Sequence, residues 1–173
     1  MRIEGRGPTR VDGYGAQVLA SASPAISSGG DPIKRAFEKL FSEPATQGAE
    51  NKQTLAAVCF ATTPPPKQDI DGPFVFMPGF LSEPGELVVG PRDSVLIPAQ
   101  TYLVLTFSGD SSDIGNMRFT LAEEFWPRVA PFLGIERAIG PNLMIWQEGG
   151  KTPNGPVVLE MWTPIKPVRI NPH

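Results

Sequence analysis

One carboxylate stands in the middle of an apolar stretch late in the sequence, at Glu160 in VVLEMWTPIK (residues 157–166). The residues around it are typical of a buried strand, and Pro164 is predicted to end that strand. Because side chains alternate between the two faces of a strand, Glu160 is expected to share a face with Trp162. Burying an ionised carboxylate costs on the order of several kcal/mol unless another group pairs with it. Either this face is solvated or Glu160 has a partner, and we expect that partner to be a ligand.

Aromatic side chains are the other candidates for ligand contact. Trp162 is expected to form a wall of the ligand site because it shares the face of Glu160, whereas for Trp146 a wall and a core position are equally good interpretations. Phe74 and Phe76 share a strand face and form either the opposite wall or part of the core. Tyr102 is either a ligand contact or a core tyrosine with a hydrogen-bonded hydroxyl. The complete candidate set is one acid, six aromatic residues and a methionine: Glu160, Trp162, Trp146, Tyr102, Phe76, Phe74, Trp126 and Met144.

The residue types that carry most catalytic and cofactor chemistry are scarce. The one cysteine, Cys59, lies in a predicted strand and is expected to be a buried, unreactive thiol. The one histidine is His173, which argues against a histidine-based metal site, a haem ligand or a Ser-His-Asp triad. The sequence also lacks a phosphate-binding loop and a dinucleotide fingerprint. We therefore expect no metal, no cofactor and no catalytic residue of these kinds.

Charge and hydropathy limit the classes of partner. The 173 residues carry a formal net charge of −3, so the sequence has no basic character for direct contact with nucleic acid. No apolar run approaches the length of a membrane span, and the first residues lack the apolar core of a signal peptide. A single cysteine fits a reducing compartment. We expect a cytoplasmic domain whose partner is a small molecule and, as a further option, another protein.

Two helices are predicted from local patterns. The first has Asp31 as its N-cap and Pro32 as its first helical residue. Apolar residues then recur at helical spacing and form one stripe: Ile33, Ala36, Phe37, Leu40 and Phe41. The second helix is predicted through four apolar residues, Met117, Leu121, Phe125 and Trp126, and Pro127 and Pro131 are expected to break or kink it. Either Phe125 or Trp126 should face the sheet.

The remaining chain is predicted as strands and turn-rich connections. The strands cover residues 14–21, 55–62, 73–81, 95–98 with 101–107, 143–147 and 157–162. Residues 1–13 are charged and without period, and we expect them to be a poorly ordered lead-in. They contain the string Ile3-Glu4-Gly5-Arg6, a protease recognition sequence that is either a cloning remnant or a coincidence.

The predicted elements follow the order strand, helix, strand, strand twice. This order predicts an α+β fold of two pseudo-symmetric modules, about 14–82 and 94–166, within one domain that spans residues 14–173. Side by side, the modules would form an antiparallel sheet with helices packed on it. A ligand would fit the cleft between them.

Four segments resemble the GyrI-like effector-binding family, a small-molecule-binding domain found alone or fused to AraC- and MerR-type transcription regulators. IPAQTYLVLTFSG, from Ile97, resembles the family's I-P-A-G-x-Y-A-V-F-x-H-x-G, and EMWTPIK, from Glu160, resembles its closing E-I-W-I-P-I-K. Between them VAP, GIE and GP resemble W-L-P, G-Y-E and G-P. In the first half, FVFMPGF resembles a Y-x-x-G strand and IKRAFEKLF resembles I-x-x-L-W-x-x-F.

The resemblance implies a role for Glu160, because a buried glutamate on the matching strand of relatives receives cationic or polar ligands. It also implies a more apolar site in this chain than in many relatives. Gln100 replaces a glycine, Phe107 replaces a histidine, and Met144 stands where many relatives carry an acid.

The function implied is that of a stand-alone effector or multidrug-binding domain that favours hydrophobic, cationic organic compounds. Residues 1–30 show no helical pattern, so any part in transcription regulation would need a partner or sequestration of the compound. Two alternatives remain open. One is a hydrolase of strained electrophiles, in which Glu160 and Tyr102 orient a water and burial raises the pKa of the glutamate. The other is a protein-inhibitor module that acts on a partner such as a topoisomerase.

Overall fold

Antiparallel strands dominate the protein. The computed structural model describes residues 1–18, 32–44, 53–61, 74–88, 90–110, 113, 120–147 and 156–168. Within these residues, every strand pairing is antiparallel and two helices accompany the sheet, which confirms the predicted α+β class.

The described part of the chain contains ten strands, a regular helix and a wider helical segment. The strands are β1 (Arg2–Arg6), β2 (Thr9–Gly13), β3 (Ala16–Val18), β4 (Leu55–Ala61), β5 (Phe74–Ser82), β6 (Asp93–Ile97), β7 (Gln100–Asp110), β8 (Ile135–Arg137), β9 (Asn142–Trp146) and β10 (Pro156–Pro167). The helices are α1 (Pro32–Ser42) and α2 (Leu121–Val129), and a 3₁₀ turn (Ala130–Leu133) follows α2.

The sheet is strongly curved. Its main strand order is β1-β7-β10-β9-β4-β5-β2-β6, with β3 beside β5 and β8 beside β10. Strands β1 and β2 lie near opposite ends of this order, yet only Gly7 and Pro8 separate them along the chain. Three peptide units reach at most about 11 Å, so the two ends of the sheet must approach each other. The sheet therefore has a concave and a convex face.

The concave face is filled by one apolar cluster to which both ends of the sheet contribute. We call these buried residues the concave cluster: Val11, Ala56, Val58, Met77, Ile97, Tyr102, Val104, Leu143, Ile145 and Trp162. Val11 and Ile97 come from β2 and β6, whereas Tyr102 and Val104 come from β7 at the other end. These residues meet only because the sheet curves toward that face.

The convex face is covered by helix α1. Its apolar stripe follows the predicted spacing, with Ala36 and Leu40 buried and Ile33, Phe37 and Phe41 packed against the same cluster. The helical period and the proline at the first position agree with each other, and the predicted helix is confirmed. Its predicted N-cap, Asp31, lies outside the described residues.

The expectation for residues 1–13 is corrected by the structure. Both β1 and β2 are formed there, and β2 is buried along its whole length. The close contact between β2 and β5 explains why β2 needs no apolar run: a Cβ on Gly13 would lie 1.9 Å from the carbonyl oxygen of Pro78, and one on Gly79 would lie 2.3 Å from that of Asp12. Two glycines therefore allow the strand backbones to approach closely.

Two proline predictions have different outcomes. Pro164 does not end its strand, because β10 continues to Pro167 and the Pro164 carbonyl accepts a hydrogen bond from the Ala138 amide at 2.9 Å. A proline lacks only the donor, so pairing through its carbonyl remains available. Pro127, by contrast, lies within α2, where the helix is widened. The Ala130 amide donates to the carbonyl of Phe125, five residues earlier, which is a wide π-type turn.

The other predicted strands coincide with β3 to β7, β9 and β10, although β10 extends five residues further, and the short strand β8 was not predicted. Residues 19–21, 62 and 73 of the predicted strands lie outside the described residues. Met117, expected in the second helix, lies outside the described residues.

Candidate functional site

Glu160 lies on the concave face, in the middle of β10. It is opposite Thr106 of β7 on one side and Ile145 of β9 on the other. Directly opposed residues of neighbouring strands share a face, and Ile145 belongs to the concave cluster. Trp162 follows two positions later on the same face, as the alternation of side chains predicts.

Among the described residues, Arg2 and Trp162 both pair with the Glu160 carboxylate, which corrects the expectation that only a ligand would pair with it. Oε1 accepts a hydrogen bond from Nη1 of Arg2 at 2.8 Å, and Oε2 accepts one from Nε1 of Trp162 at 3.1 Å. The Arg2 side chain is 44% exposed and that of Glu160 is 15% exposed. The ion pair therefore lies at the edge of the apolar cluster and is open to solvent on the arginine side.

Arginines from β1 lie over the indole of Trp162. The register places Arg2 opposite Val104, and Val104 opposite Trp162, so Arg2 reaches across β7. The guanidinium carbon of Arg2 is 5.4 Å from the Trp162 ring centre, and that of Arg6 is 5.0 Å from it. Both distances lie within the range of cation–π attraction. The site thus already holds cations against an aromatic face.

Tyr102 borders the same site but is enclosed by the protein. It is fully buried, and its ring meets that of Trp162 edge-on at 5.7 Å. Its hydroxyl accepts a hydrogen bond from Nε2 of Gln100 at 2.6 Å. Burial raises the pKa of Tyr102, so the phenol is neutral at ordinary pH. Gln100 therefore holds this tyrosine in the cluster.

Glu160 is ionised at neutral pH. The hydrogen bond from Arg2 is the main reason that its pKa lies below the ordinary value, and it outweighs burial, which acts in the opposite direction. The hydrogen bond from Trp162 and the charge of Arg6 lower the pKa further. A carboxylate with a lowered pKa is a weak general base. The raised pKa that the hydrolase alternative requires is thus not found.

Four of the predicted site residues lie on the opposite face of the sheet from Glu160. Leu159 of β10 is opposite Trp146 and Met161 is opposite Met144, so both candidates share the convex face. Phe74 and Phe76 pack in the same convex cluster as these two residues. Side chains on opposite faces of one sheet cannot line one site, so the expected arrangement of walls around Glu160 is corrected.

Helix α1 fills the space next to these convex residues. The ring of Phe37 lies 5.9 Å from that of Phe76 and 5.9 Å from that of Trp146, in tilted and edge-on geometry. Such contacts are those of a packed core. Phe76 and Trp146 are therefore core residues, which is one of the two interpretations that the sequence left open.

Trp126 belongs to a third group of residues, around α2. Its ring meets that of Phe125 edge-on at 5.2 Å, and the guanidinium of Arg137 lies 5.6 Å from its centre. Both Phe125 and Trp126 pack against a small cluster that includes Leu103 and Ile165. The structure does not bring Trp126 together with Glu160.

The residues that sequence reasoning missed are Arg2 and Arg6. Their signal was present: Arg2, Glu4 and Arg6 alternate with uncharged residues over five positions, as in a strand with one polar face. The link to Glu160 was not visible, since it joins positions 158 residues apart.

Two further observations concern the part of the chain that the structure describes. Among those residues, no group of three or more histidine, cysteine or acidic side chains is placed to hold a metal ion. None of the helices formed by the same residues combines the length and apolar character that a membrane span requires.

Solved structures with the same fold exist, although neither family models nor proteins of curated function match the sequence. SAV2435, solved in complex with tetraphenylphosphonium, is 13% identical with a TM-score of 0.62, and the match covers 95% of this chain and 93% of that one. An integron cassette protein from the mobile metagenome of Vibrio cholerae is 11% identical with a TM-score of 0.65 and 95% coverage of both chains.

A third structure is a candidate bacterial transcription regulation protein from Staphylococcus aureus MU50. It is 12% identical with a TM-score of 0.60, and the match covers 95% of this chain and 97% of that one. At these identities the likeness establishes a shared fold over nearly the whole chain.

Proposed function

We propose that this protein binds small organic cations on the concave face of its sheet, as a ligand-binding domain of the GyrI-like type. The observation that carries the proposal is the arrangement around Trp162: an ionised carboxylate, Glu160, at the edge of an apolar cluster, with guanidinium groups held over the indole. A site that holds a guanidinium in this way has the chemistry to hold a ligand cation.

The shared fold supports the proposal. The structure of SAV2435 was solved bound to tetraphenylphosphonium, a hydrophobic cation, and another protein of this fold carries a name that refers to transcription regulation. By analogy, the ligand of this chain is an effector or drug-like cation. Binding would influence transcription through a partner protein or by sequestration of the compound.

The residues proposed to contact the ligand on the concave face are Glu160 and Trp162, and the buried ring of Tyr102 supports Trp162 from behind. Because Arg2 already offsets the charge of Glu160, the preference for cations should be weaker than at a bare carboxylate. Each aromatic face that a desolvated cation contacts adds about 0.5–2 kcal/mol. We therefore expect affinity to depend on aromatic contact as well as on charge.

The strand order supports the proposal of two related modules. Read from either end, the sheet runs β1-β7-β10-β9 or β6-β2-β5-β4. Counted from its own end, each strand of one series has a counterpart in the other: β1 with β6, β7 with β2, β10 with β5, and β9 with β4. A two-fold axis between β9 and β4 would produce this correspondence. This proposal extends the first module beyond its predicted range of 14–82, because β1 and β2 then belong to the modules.

Calorimetric titration with tetraphenylphosphonium and with its neutral relative triphenylphosphine oxide tests the binding function. We expect wild type to prefer the cation, and Glu160→Gln to weaken cation binding about tenfold, which corresponds to ~1.4 kcal/mol. The oxide should bind both proteins equally. Glu38→Gln is the matched control, because it removes the same charge from the exposed face of α1. Absence of binding, or equal cation affinity in wild type and Glu160→Gln, would refute the proposal.

A further inference from the structure

Strand β1 places charged side chains into the candidate site. Arg2, Glu4 and Arg6 are opposite Val104, Tyr102 and Gln100 of β7, so all three share the concave face. Arg2 donates from Nε to Glu4 at 2.7 Å and from Nη1 to Glu160 at 2.8 Å. The Arg2 guanidinium is therefore held by a carboxylate on each side.

The guanidinium of Arg2 occupies the position that the proposed function assigns to a ligand cation. A guanidinium is planar and delocalised, it donates N–H groups to a carboxylate, and it packs against aromatic faces. The Arg2 guanidinium makes both kinds of contact at once, since one nitrogen is bonded to Glu160 and the group lies over Trp162. The protein itself thus shows which cation the site accepts.

Strand β1 is held to the body of the protein by few apolar contacts. It is the terminal strand of the sheet order, next to β7. Ile3, its large apolar residue, is 58% exposed, and the strand contains no buried residue. Strand β2, which follows immediately, is buried throughout. Segments with little buried apolar area open at low free energy, so β1 can leave β7 without unfolding the core.

We propose that β1 is an internal occupant of this site, and that flat cations of the arylguanidinium and arylamidinium class displace its Arg2 guanidinium. The inference rests on the proposed function and narrows the ligand class. Such a ligand supplies both features of Arg2, N–H donors for Glu160 and a planar cation over Trp162, and its aryl ring adds apolar contact. Because β1 must first be displaced, the apparent affinity is the affinity of the open site multiplied by the fraction of molecules in which the site is open.

Titration of wild type and Arg2→Ala with benzamidine tests this competition. If Arg2 competes, its removal should tighten benzamidine binding at least tenfold, because the site is then open and carries one positive charge fewer. Arg2→Lys, which keeps the charge but not the planar donor group, should fall between the two. Arg128→Ala, an exposed arginine on α2, is the control and should bind like wild type. Unfolding curves confirm that each variant is folded.

Hydrogen exchange measured on the wild-type chain gives an independent readout of displacement. Benzamidine should speed amide exchange in residues 2–6 severalfold and leave residues 9–13 of β2 unchanged. Equal or weaker benzamidine binding by Arg2→Ala, or unchanged exchange in β1 at saturating benzamidine, overturns the inference.

The two proposals fail in different ways. If tetraphenylphosphonium binds in a Glu160-dependent manner while Arg2→Ala leaves benzamidine affinity unchanged, only the internal occupant is refuted. If neither cation binds wild type or Arg2→Ala, the binding function and the inference are both refuted.

Discussion

Two arginine–carboxylate pairs in this protein contain the same groups but differ in the number of hydrogen bonds between them and in the exposure of their side chains. Arg10 and Asp12 form a bidentate pair, from Nε to Oδ1 and from Nη2 to Oδ2, both at 2.8 Å. Their side chains are only 9% and 4% exposed. In the pair of Arg2 and Glu160, one guanidinium nitrogen contacts the carboxylate, and the side chains are 44% and 15% exposed.

The surroundings of Asp12 leave no place for a ligand. Ser82 donates to Oδ2 at 2.8 Å and Ser94 donates to Oδ1 at 2.6 Å, while Arg10 also donates to the carbonyl of Glu86. These bonds connect β2 to β5, to β6 and to the segment after β5. The cluster therefore joins strands that are distant in sequence.

The comparison shows that an ion pair marks a candidate ligand site when its partners can be exchanged. At Asp12 every lone pair direction is taken by groups fixed on the sheet, and replacement of any of them would break the fold's contacts. At Glu160 one of the two partners is a half-exposed arginine on a terminal strand. Similar electrostatics thus serve structure at the first site and, in the proposed function, binding at the second.

The largest expected difference between the two pairs is in stability. Asp12→Asn should lower the free energy of unfolding by about 3 kcal/mol, because it leaves a buried guanidinium without its counter-ion. Glu160→Gln should lower it by less than about 1 kcal/mol, since its partner is exposed to solvent. Denaturant unfolding of both variants measures the difference. Equal losses would contradict the division into a structural pair and an exchangeable pair.

A smaller effect is expected in the pH dependence of stability. Burial tends to raise the pKa of Asp12, but hydrogen bonds from Arg10, Ser94 and Ser82 outweigh it and hold the pKa below the ordinary 3.8. A lowered pKa stabilises the fold above the ordinary value, and this contribution is lost as pH falls through the lowered one. The stability difference between wild type and Asp12→Asn should therefore be constant near neutrality and shrink below about pH 4.

The corresponding difference for Glu160→Gln should be smaller throughout and should start to shrink at slightly higher pH, because the ordinary pKa of glutamate is 4.5. Unfolding curves between pH 3 and pH 7 check both variants. A difference that grows as the pH falls would contradict the lowered pKa values.

Local patterns predicted much of the fold. The spacing of Phe37 and Leu40 defined the core face of α1, and alternation in β10 placed Glu160 with Trp162. These features depend on neighbours within a few residues, which a single sequence displays directly.

Features that depend on long-range pairing could not be predicted. The separation of Trp146 from Glu160 follows from the register between β9 and β10, since a shift by one residue would exchange the faces. The role of Arg2 depends on β1 pairing with β7, almost a hundred residues later. The ordering of residues 1–13 was missed because β2 is held by the Arg10–Asp12 pair and close backbone contact rather than by an apolar run.

The most direct test of the central claim is a nuclear magnetic resonance titration that follows the indole N–H signals of the three tryptophans. Trp162 donates this group to Glu160, whereas Trp146 packs against α1 on the opposite face. On addition of tetraphenylphosphonium, we predict a saturable shift of the Trp162 signal, with the Trp146 and Trp126 signals nearly unchanged. A saturable shift confined to Trp146 or Trp126, with Trp162 unaffected, would contradict a ligand site on the concave face.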